Sequence, residues 1–415
     1  MKRKLYVALS FASNLFILYL FKYFNFSIST LNQILKYAHL SVIKPSFSLL
    51  LPVGISFYTF QALSYTMDVY RGKIDAERNF LKYSLFVSFF PQLVAGPIER
   101  TKNLLTQIGE EHHFDYNRMI NGFILMLWGY FQKVVIADRV AILVDTVFDN
   151  YQKYSGFQIL IAIFFFSIQI YCDFAGYSNI AIGAAQIMGF KLTVNFNRPY
   201  LALSIQDFWR RWHITLSTWF RDYLYISLGG NRCSRIKKYR NIMITFLVSG
   251  LWHGANWNYV IWGGLHGLYQ IVEDALKTIR TKARHIEKLP NDGSLFKFVQ
   301  IIVTFILVCF AWIFFRASSL DTAFGVIKRI VMNFGVEEIF KLSSYRFGLG
   351  LKDLIVAGLA TFLCMLTDIV SEKLDLFKWF HARNPFIKWA TLYCWTLVII
   401  FLGKFGPSSF LYFQF

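Results

Sequence analysis

A chain of 415 residues that is 56% hydrophobic and 19% aromatic carries only 16% charged residues, against about 25% in a typical soluble domain. This composition excludes an ordinary water-soluble globular protein and predicts an all-α, polytopic membrane protein. The formal charge of +19 raises the question of nucleic acid, but the basic residues are scattered over short loops. No nucleic acid is therefore expected, and membrane orientation with contact to anionic lipid accounts for them.

Apolar stretches close to the roughly 17 to 25 residues that a helix needs to cross the hydrocarbon core recur along the chain. They cover 5–21, 46–65, 119–136, 157–172, 242–270, 297–315, 354–369 and 389–402, the fifth long enough for two short or tilted helices. Two shorter pieces, 80–94 and 178–190, are broken by Pro or Gly and read as re-entrant. In all, roughly eight to eleven membrane-embedded helices are expected.

The first stretch follows Lys2-Arg3-Lys4, as a signal peptide would, but no small-residue cleavage site precedes Phe24-Asn25-Phe26. It is expected to stay as a helix. Residues 91–98, Pro-Gln-Leu-Val-Ala-Gly-Pro-Ile, have the form of a broken membrane helix, open to lining a pocket or to making a turn. His112 and His113 follow two glutamates in a polar loop and read as solvated surface. Asp173 ends an apolar stretch, where capping the next helix or pairing with a cation stands ahead of orienting a histidine.

The run Phe208-Trp209-Arg210-Arg211-Trp212-His213 and, forty residues on, Ser249-Gly250-Leu251-Trp252-His253-Gly254 put imidazoles and arginines into this apolar chain. Hydrocarbon is a costly medium for ionisable side chains, which there face protein or a cavity. On a continuous helix over 208–220, Trp209, His213, Leu216 and Phe220 share one stripe, with Arg210 and Arg221 about a quarter-turn away. A buried imidazole stays neutral and able to accept a proton near neutral pH. For His213 and His253 alike, the residues alone leave a general base and a hydrogen-bonded packing residue equally open.

Orientation follows from Lys and Arg. The densest basic loops, 231–240 and 277–288, are expected in the cytoplasm. The segment 241–276 between them then enters and returns as two short helices bent near Asn256-Trp257-Asn258, holding His253 within the membrane. His266 lies thirteen residues beyond His253. On one straight helix the two rings would point about 220° apart, so they share a cavity only if the helix is interrupted. Continuing the count, 316–340 becomes an external loop, 373–388 a second basic cytoplasmic stretch, and the tail 403–415 extracytoplasmic.

The five cysteines show no metal or redox spacing, and no Walker-type loop, zinc motif or dinucleotide fingerprint occurs. No metal and no resident cofactor are expected.

At residues 52–61, 90–100, 171–183, 206–232 and 249–267 the chain resembles the membrane-bound O-acyltransferase family, in its bacterial alginate and peptidoglycan O-acetylation branch. The resemblance implies a helical ring around a central tunnel, in one membrane-embedded acyltransferase domain over 1–415 of a bacterial cytoplasmic membrane. Two or three hydrophobic segments usual before the stretch matching 4–26 are not found. By the same resemblance His253 matches an essential membrane-embedded histidine and His213 a second polar position. The terminal Phe410-Leu411-Tyr412-Phe413-Gln414-Phe415 resembles a Phe-x-Tyr-x-x-Phe motif whose tyrosine is thought to carry the acyl group.

A phenol ionises near pH ~10, well below a sugar hydroxyl, so a base activates it more readily. An aromatic interface anchor is the competing reading of the tail. The resulting expectation is an acyltransferase taking an acetyl group from cytoplasmic acetyl-CoA. His253 would act as general base with His213 as its polar partner, and Tyr412 as the relay. Trp209, Arg210 and Arg211 would contact the anionic donor, unless the arginines only anchor to lipid. An extracytoplasmic SGNH/GDSL-like transferase would then modify a cell-surface polysaccharide. A transporter or flippase with proton-relaying histidines, and a non-catalytic docking subunit, are the alternatives.

Overall fold

The computed structural model describes residues 2–44, 52–93, 96–286, 293–337, 347–406 and 410–411, with the side chains of 278–286 left aside. Among them no strand occurs. The helices are α1 (Lys2–Tyr37), α2 (Ile55–Tyr70), α3 (Phe80–Ser88), α4 (Thr101–Ile108), α5 (Tyr116–Phe148), α6 (Gly156–Ile187), α7 (Ile205–Arg211) and α8 (Ile214–Trp219). Then follow α9 (Arg235–His253), α10 (Trp257–Ile286), α11 (Ser294–Arg316), α12 (Leu320–Met332), α13 (Leu351–Ser371), α14 (Leu376–His381) and α15 (Pro385–Leu402).

Among the described residues six helices, α1, α5, α6, α11, α13 and α15, are long and apolar enough to cross a membrane. The shorter or more polar α2, α9 and α10 pack into the same body: α2 against α1, and α9 against α10, which also meets α11. An all-helical polytopic membrane protein is what the composition required.

The long axis of the bundle is α6. Ser155 starts it with a reciprocal cap: its hydroxyl accepts from Gln158 N, and the Gln158 side chain accepts from Ser155 N. The sequence suggested a span ending near 172 and a separate re-entrant piece at 178–190, but one helix of 32 residues runs through both. Two tertiary contacts explain this. Asp173 is neutralised by Lys133 Nζ at 2.6 Å, and Gly176 lies against α5. A Cβ on Gly129 of α5 would stand 2.5 Å from Gly176 O, and one on Gly122 2.7 Å from Gly183 O. Glycines a turn or two apart thus let the two backbones meet, which side chains larger than hydrogen would forbid.

Charged residues inside spans are handled by pairing. α5 continues twelve residues past its expected end through a π turn, Phe131–Ala137. Lys133 there reaches Asp138 at 2.7 Å as well as Asp173, and Arg139 meets Asp353 of α13 at 3.2 Å. Uncompensated, these charges would end an apolar run; paired, they stay inside it.

Several expected loops hold helices: α9 already begins at Arg235 within the basic stretch 231–240, and α10 runs on to Ile286 through most of 277–288. The segment 316–340 contains α12, begun by Ser319, whose hydroxyl accepts from Thr322 N, and 373–388 contains α14. At 13 and 6 residues both are too short to cross a bilayer.

Candidate functional site

His253 is the last residue of α9. The chain then leaves the helix through Gly254, whose backbone is extended, and a Cβ on that glycine would run into the ring of Tyr259. α10 starts at Trp257, so the bend predicted near 256–258 is present, a few residues early. The two helices fold back as a hairpin that is close enough for Gly250 to face the backbone of Tyr259 and Gly263 that of Phe246. At this turn the His253 imidazole is 3% exposed. It sits among the rings of Trp262, Trp252 and Phe315, at centroid distances of 4.9, 5.0 and 5.5 Å.

The interruption brings His266 into the same aromatic group. Trp262 stands between the two imidazoles, 5.1 Å from His266. His266 Nδ1 accepts the indole N–H of Trp209 at 3.2 Å, and in a neutral ring this leaves the proton on Nε2.

His213 is placed differently from its sequence expectation. Residues 208–220 are not one helix: α7 ends at Arg211, α8 begins at Ile214, and His213 has φ 41°, in the left-handed region. The helical stripe joining Trp209, His213, Leu216 and Phe220 therefore does not form. The cause is Asn195, fully buried on the loop after α6. Its carbonyl accepts Ile214 N at 2.9 Å, and its side-chain oxygen accepts from Thr215 N, from Thr215 Oγ1 at 2.9 Å and from His213 Nδ1 at 3.1 Å.

Because Thr215 N can only donate, the Asn195 oxygen must face it, and His213 Nδ1 carries the hydrogen. Nε2 is then the ring's acceptor. The network continues from Asn195 Nδ2 to Ser178, and from Thr215 Oγ1 to Ile98 N at 3.1 Å. The unwound stretch after α3 is thus anchored behind His213. The ring of His213 meets Phe174 edge-on at 4.6 Å and lies 6.3 Å from Trp252, the neighbour of His253.

A cavity of about 590 Å³ opens between α7, α8 and the α9–α10 hairpin. Arg210, Arg221 and Lys277 line it with exposed side chains, whereas Trp209 and Ser249 are buried. Ser249 is one helical turn before His253, and Ile214, also in the wall, follows His213 directly. The wall thus holds cationic side chains, the residue one turn before His253 and the residue after His213, while no histidine lines it.

Of the three residues expected to meet the donor, Trp209 and Arg210 line this cavity. Arg211 does not: it is held by Glu372 at 2.8 Å and Asp207 at 3.1 Å. That arginine acts as a link between α7 and the end of α13. Lys238 and Lys277, also in the wall, are paired with Asp274 and Glu273 at 2.6 Å each. The Lys238 ammonium holds the half-buried Asp274 carboxyl below its ordinary range.

Asp173 faces neither histidine and caps no new helix. Besides Lys133 it accepts the backbone N–H of Leu411 at 2.8 Å. Phe410 and Leu411 are buried, the Phe410 ring 5.1 Å from Tyr177 and 6.1 Å from Phe174. This part of the tail is folded into the bundle instead of extending from it. Tyr412 lies outside the described residues. Among these no group of three His, Cys, Asp or Glu converges as a metal site.

The sequence did not single out Asn195, Thr215 or Trp262. Asn195 and Thr215 act through hydrogen bonds made only after folding, and Trp262 is one of eleven tryptophans with no local mark.

The membrane-bound O-acyltransferase family profile matches residues 7–318. The chain is 40% identical over 356 residues to a probable alginate O-acetylase of Pseudomonas aeruginosa, covering 86% of this chain and 66% of that protein. It is 35% identical over 450 residues to a peptidoglycan O-acetyltransferase of Helicobacter pylori, covering 100% of this chain and 83% of the relative. A teichoic acid D-alanyltransferase of Bacillus subtilis is 28% identical over 288 residues, 66% of this chain and 71% of that one. The chain spans about two thirds of the length of the alginate O-acetylase.

Proposed function

The chain belongs to the membrane-bound O-acyltransferase family, and from that premise we propose that it moves an acetyl group from cytoplasmic acetyl-CoA across a bacterial inner membrane for O-acetylation of a cell-surface polysaccharide. The observation that carries the reading is the cavity whose wall joins exposed cations to Ser249, one helical turn before the buried His253. Relatives named for alginate and peptidoglycan O-acetylation support the polysaccharide acceptor.

In this reading the donor's phosphates meet Arg210 and the neighbouring cations of the cavity wall, and its thioester reaches down past Trp209. Arginine suits phosphate because its planar fork donates two parallel hydrogen bonds. His253 takes the proton of the attacking hydroxyl as its oxygen adds to the thioester carbonyl. The tetrahedral centre then collapses, the C–S bond breaks, and the leaving thiolate takes the proton from the His253 imidazolium, which returns the base. His213, with Nε2 as acceptor and Nδ1 tied to Asn195, lends a second oriented imidazole across Trp252.

The attacking hydroxyl is that of Tyr412, whose acetyl-phenol ester keeps enough transfer potential for an exported SGNH/GDSL-like transferase to pass the group on. The burial of Phe410 beside Phe174, itself against His213, with Leu411 also buried, supports a tail that enters the protein near the site. The cavity wall includes Asn231 and Lys238 of the basic stretch 231–240, which the excess of Lys and Arg assigns to the cytoplasmic face.

The test is polysaccharide O-acetyl content in cells whose only copy of the chain carries His253→Ala, alongside its membrane abundance. Loss of acetylation at normal abundance is expected. Full acetylation would remove His253 from the chemistry and favour a docking subunit. Tyr412→Phe is expected to abolish transfer to the polysaccharide, and unchanged transfer would reduce the tail to an anchor.

A further inference from the structure

The end of α9 presents a problem that its own sequence does not solve. A helix leaves its last carbonyls without intrahelical partners, and here they belong to the residues around the histidine, in a protein interior with little water to satisfy them. The usual remedies, a glycine in left-handed conformation or a following polar turn, are missing, because Gly254 is extended.

The partners come from α1, more than two hundred residues away. Lys22 Nζ donates to Trp252 O at 2.7 Å and lies 3.4 Å from both His253 O and Ser56 Oγ. Tyr23 OH donates to Leu251 O at 3.0 Å. Both residues sit in the π turn Tyr19–Tyr23, which re-aims side chains within an otherwise regular helix. The ammonium also lies 5.8 Å from the centre of the Trp252 ring. Among the described residues no carboxylate pairs with Lys22, so the dipole at the end of α9 is the principal counter-charge to this lysine.

We propose that Lys22 is a positioning residue for His253. Its ammonium, inserted from α1, caps the end of α9 and fixes the backbone from which the imidazole projects. Tyr23 completes the cap one residue earlier. A cation at a helix C-terminus is favourable in itself, but a lysine inside an apolar span is costly. Among the described residues, that cost is offset by contacts to the histidine-bearing turn and to Ser56 at the start of α2. Lys22 does not reach the reacting atoms and acts through the placement of His253.

The inference rests on the reading of His253 as the base, and the experiment keeps the two apart. The full chain is prepared in membranes as wild type, Lys22→Met, Lys22→Arg and Tyr23→Phe. Acetyl transfer is measured over a range of acetyl-CoA concentrations, and amide hydrogen exchange is followed across residues 248–258. Lys22→Met is expected to lower kcat by about 10- to 100-fold, the size expected when a catalytic group is displaced by about 1 Å. KM for acetyl-CoA should be unchanged, and exchange should quicken at the end of α9 but not in α5 or α6.

Lys22→Arg, which keeps charge and donors, should restore most of both, and Tyr23→Phe should move both in the same direction by less. An unchanged kcat, or a loss accompanied by faster exchange throughout the bundle, overturns the proposal. If Lys22→Met does not accumulate, Tyr23→Phe decides, and normal exchange and kcat in that variant overturn it equally. If the wild type fails to consume acetyl-CoA, the functional reading falls and the exchange data alone judge the cap.

Discussion

The two candidate imidazoles are held in opposite ways. His213 is fixed through its ring: Asn195 binds Nδ1, and the same oxygen holds the next turn of backbone. His253 is fixed through its backbone, by helix α9 on one side and Lys22 on the other, while its ring is packed among aromatic faces. A ring held by a hydrogen bond keeps one tautomer and one direction. A backbone held from both sides fixes the point from which the side chain projects. On the proposed mechanism, the first arrangement belongs to the partner imidazole and the second to the base.

That contrast is open to direct attack. The largest effect is expected from His253→Gln, which keeps a polar side chain of similar size: acetylation should fall by about 10² to 10⁴, the usual worth of a general base, with the melting temperature of the purified protein little changed. A variant that lost stability along with activity would make His253 a packing residue and end the comparison. Asn195→Leu should show itself first in stability. It strands the Thr215 N–H and hydroxyl and the His213 N–H, at about 1–3 kcal/mol for each buried group left unsatisfied, so the protein should melt earlier, as thermal denaturation in detergent would show.

Next in size is Gly263→Val, which forces side-chain atoms against the backbone of Phe246. Overpacking of this kind costs about 1–3 kcal/mol. It should open the α9–α10 hairpin and lower kcat, and crosslinking between cysteines placed on the two helices would report the separation. The smallest effect belongs to Arg210→Ala at the exposed end of the cavity. KM for acetyl-CoA should rise a few-fold with kcat kept, and the difference should shrink at high salt, where exposed charges are screened. Titrating KM against ionic strength checks it, and a change in kcat would place Arg210 deeper in the chemistry than its exposure allows.

Much of this was legible in the residues. The apolar stretches marked the six long helices, because a lipid-facing helix must be apolar over its whole length. The break after His253 was readable from the 36 residues between two basic loops, too many for a turn and too few for two full spans. What misled was local periodicity in places where distant contacts decide. The stripe through 208–220 looked helical, yet Asn195 bends it at His213. The apparent gap between 172 and 178 looked like a span end, yet Lys133 and the α5 glycines carry α6 through it. Arg210 and Arg211 are neighbours in sequence, and only the position of Glu372 sends one to the cavity and the other into an ion pair.

The chain by itself determined that the protein is helical and bound to lipid, and that its few buried imidazoles mark the place to look, since solvent preference is a property of each residue wherever it sits. The tertiary structure alone decided how those imidazoles are oriented. Their partners, Asn195 for one and Lys22 with Tyr23 for the other, are separated from them by 18 to 231 residues. A hydrogen bond depends on position to within a few tenths of an ångström, which no spacing along the sequence can specify.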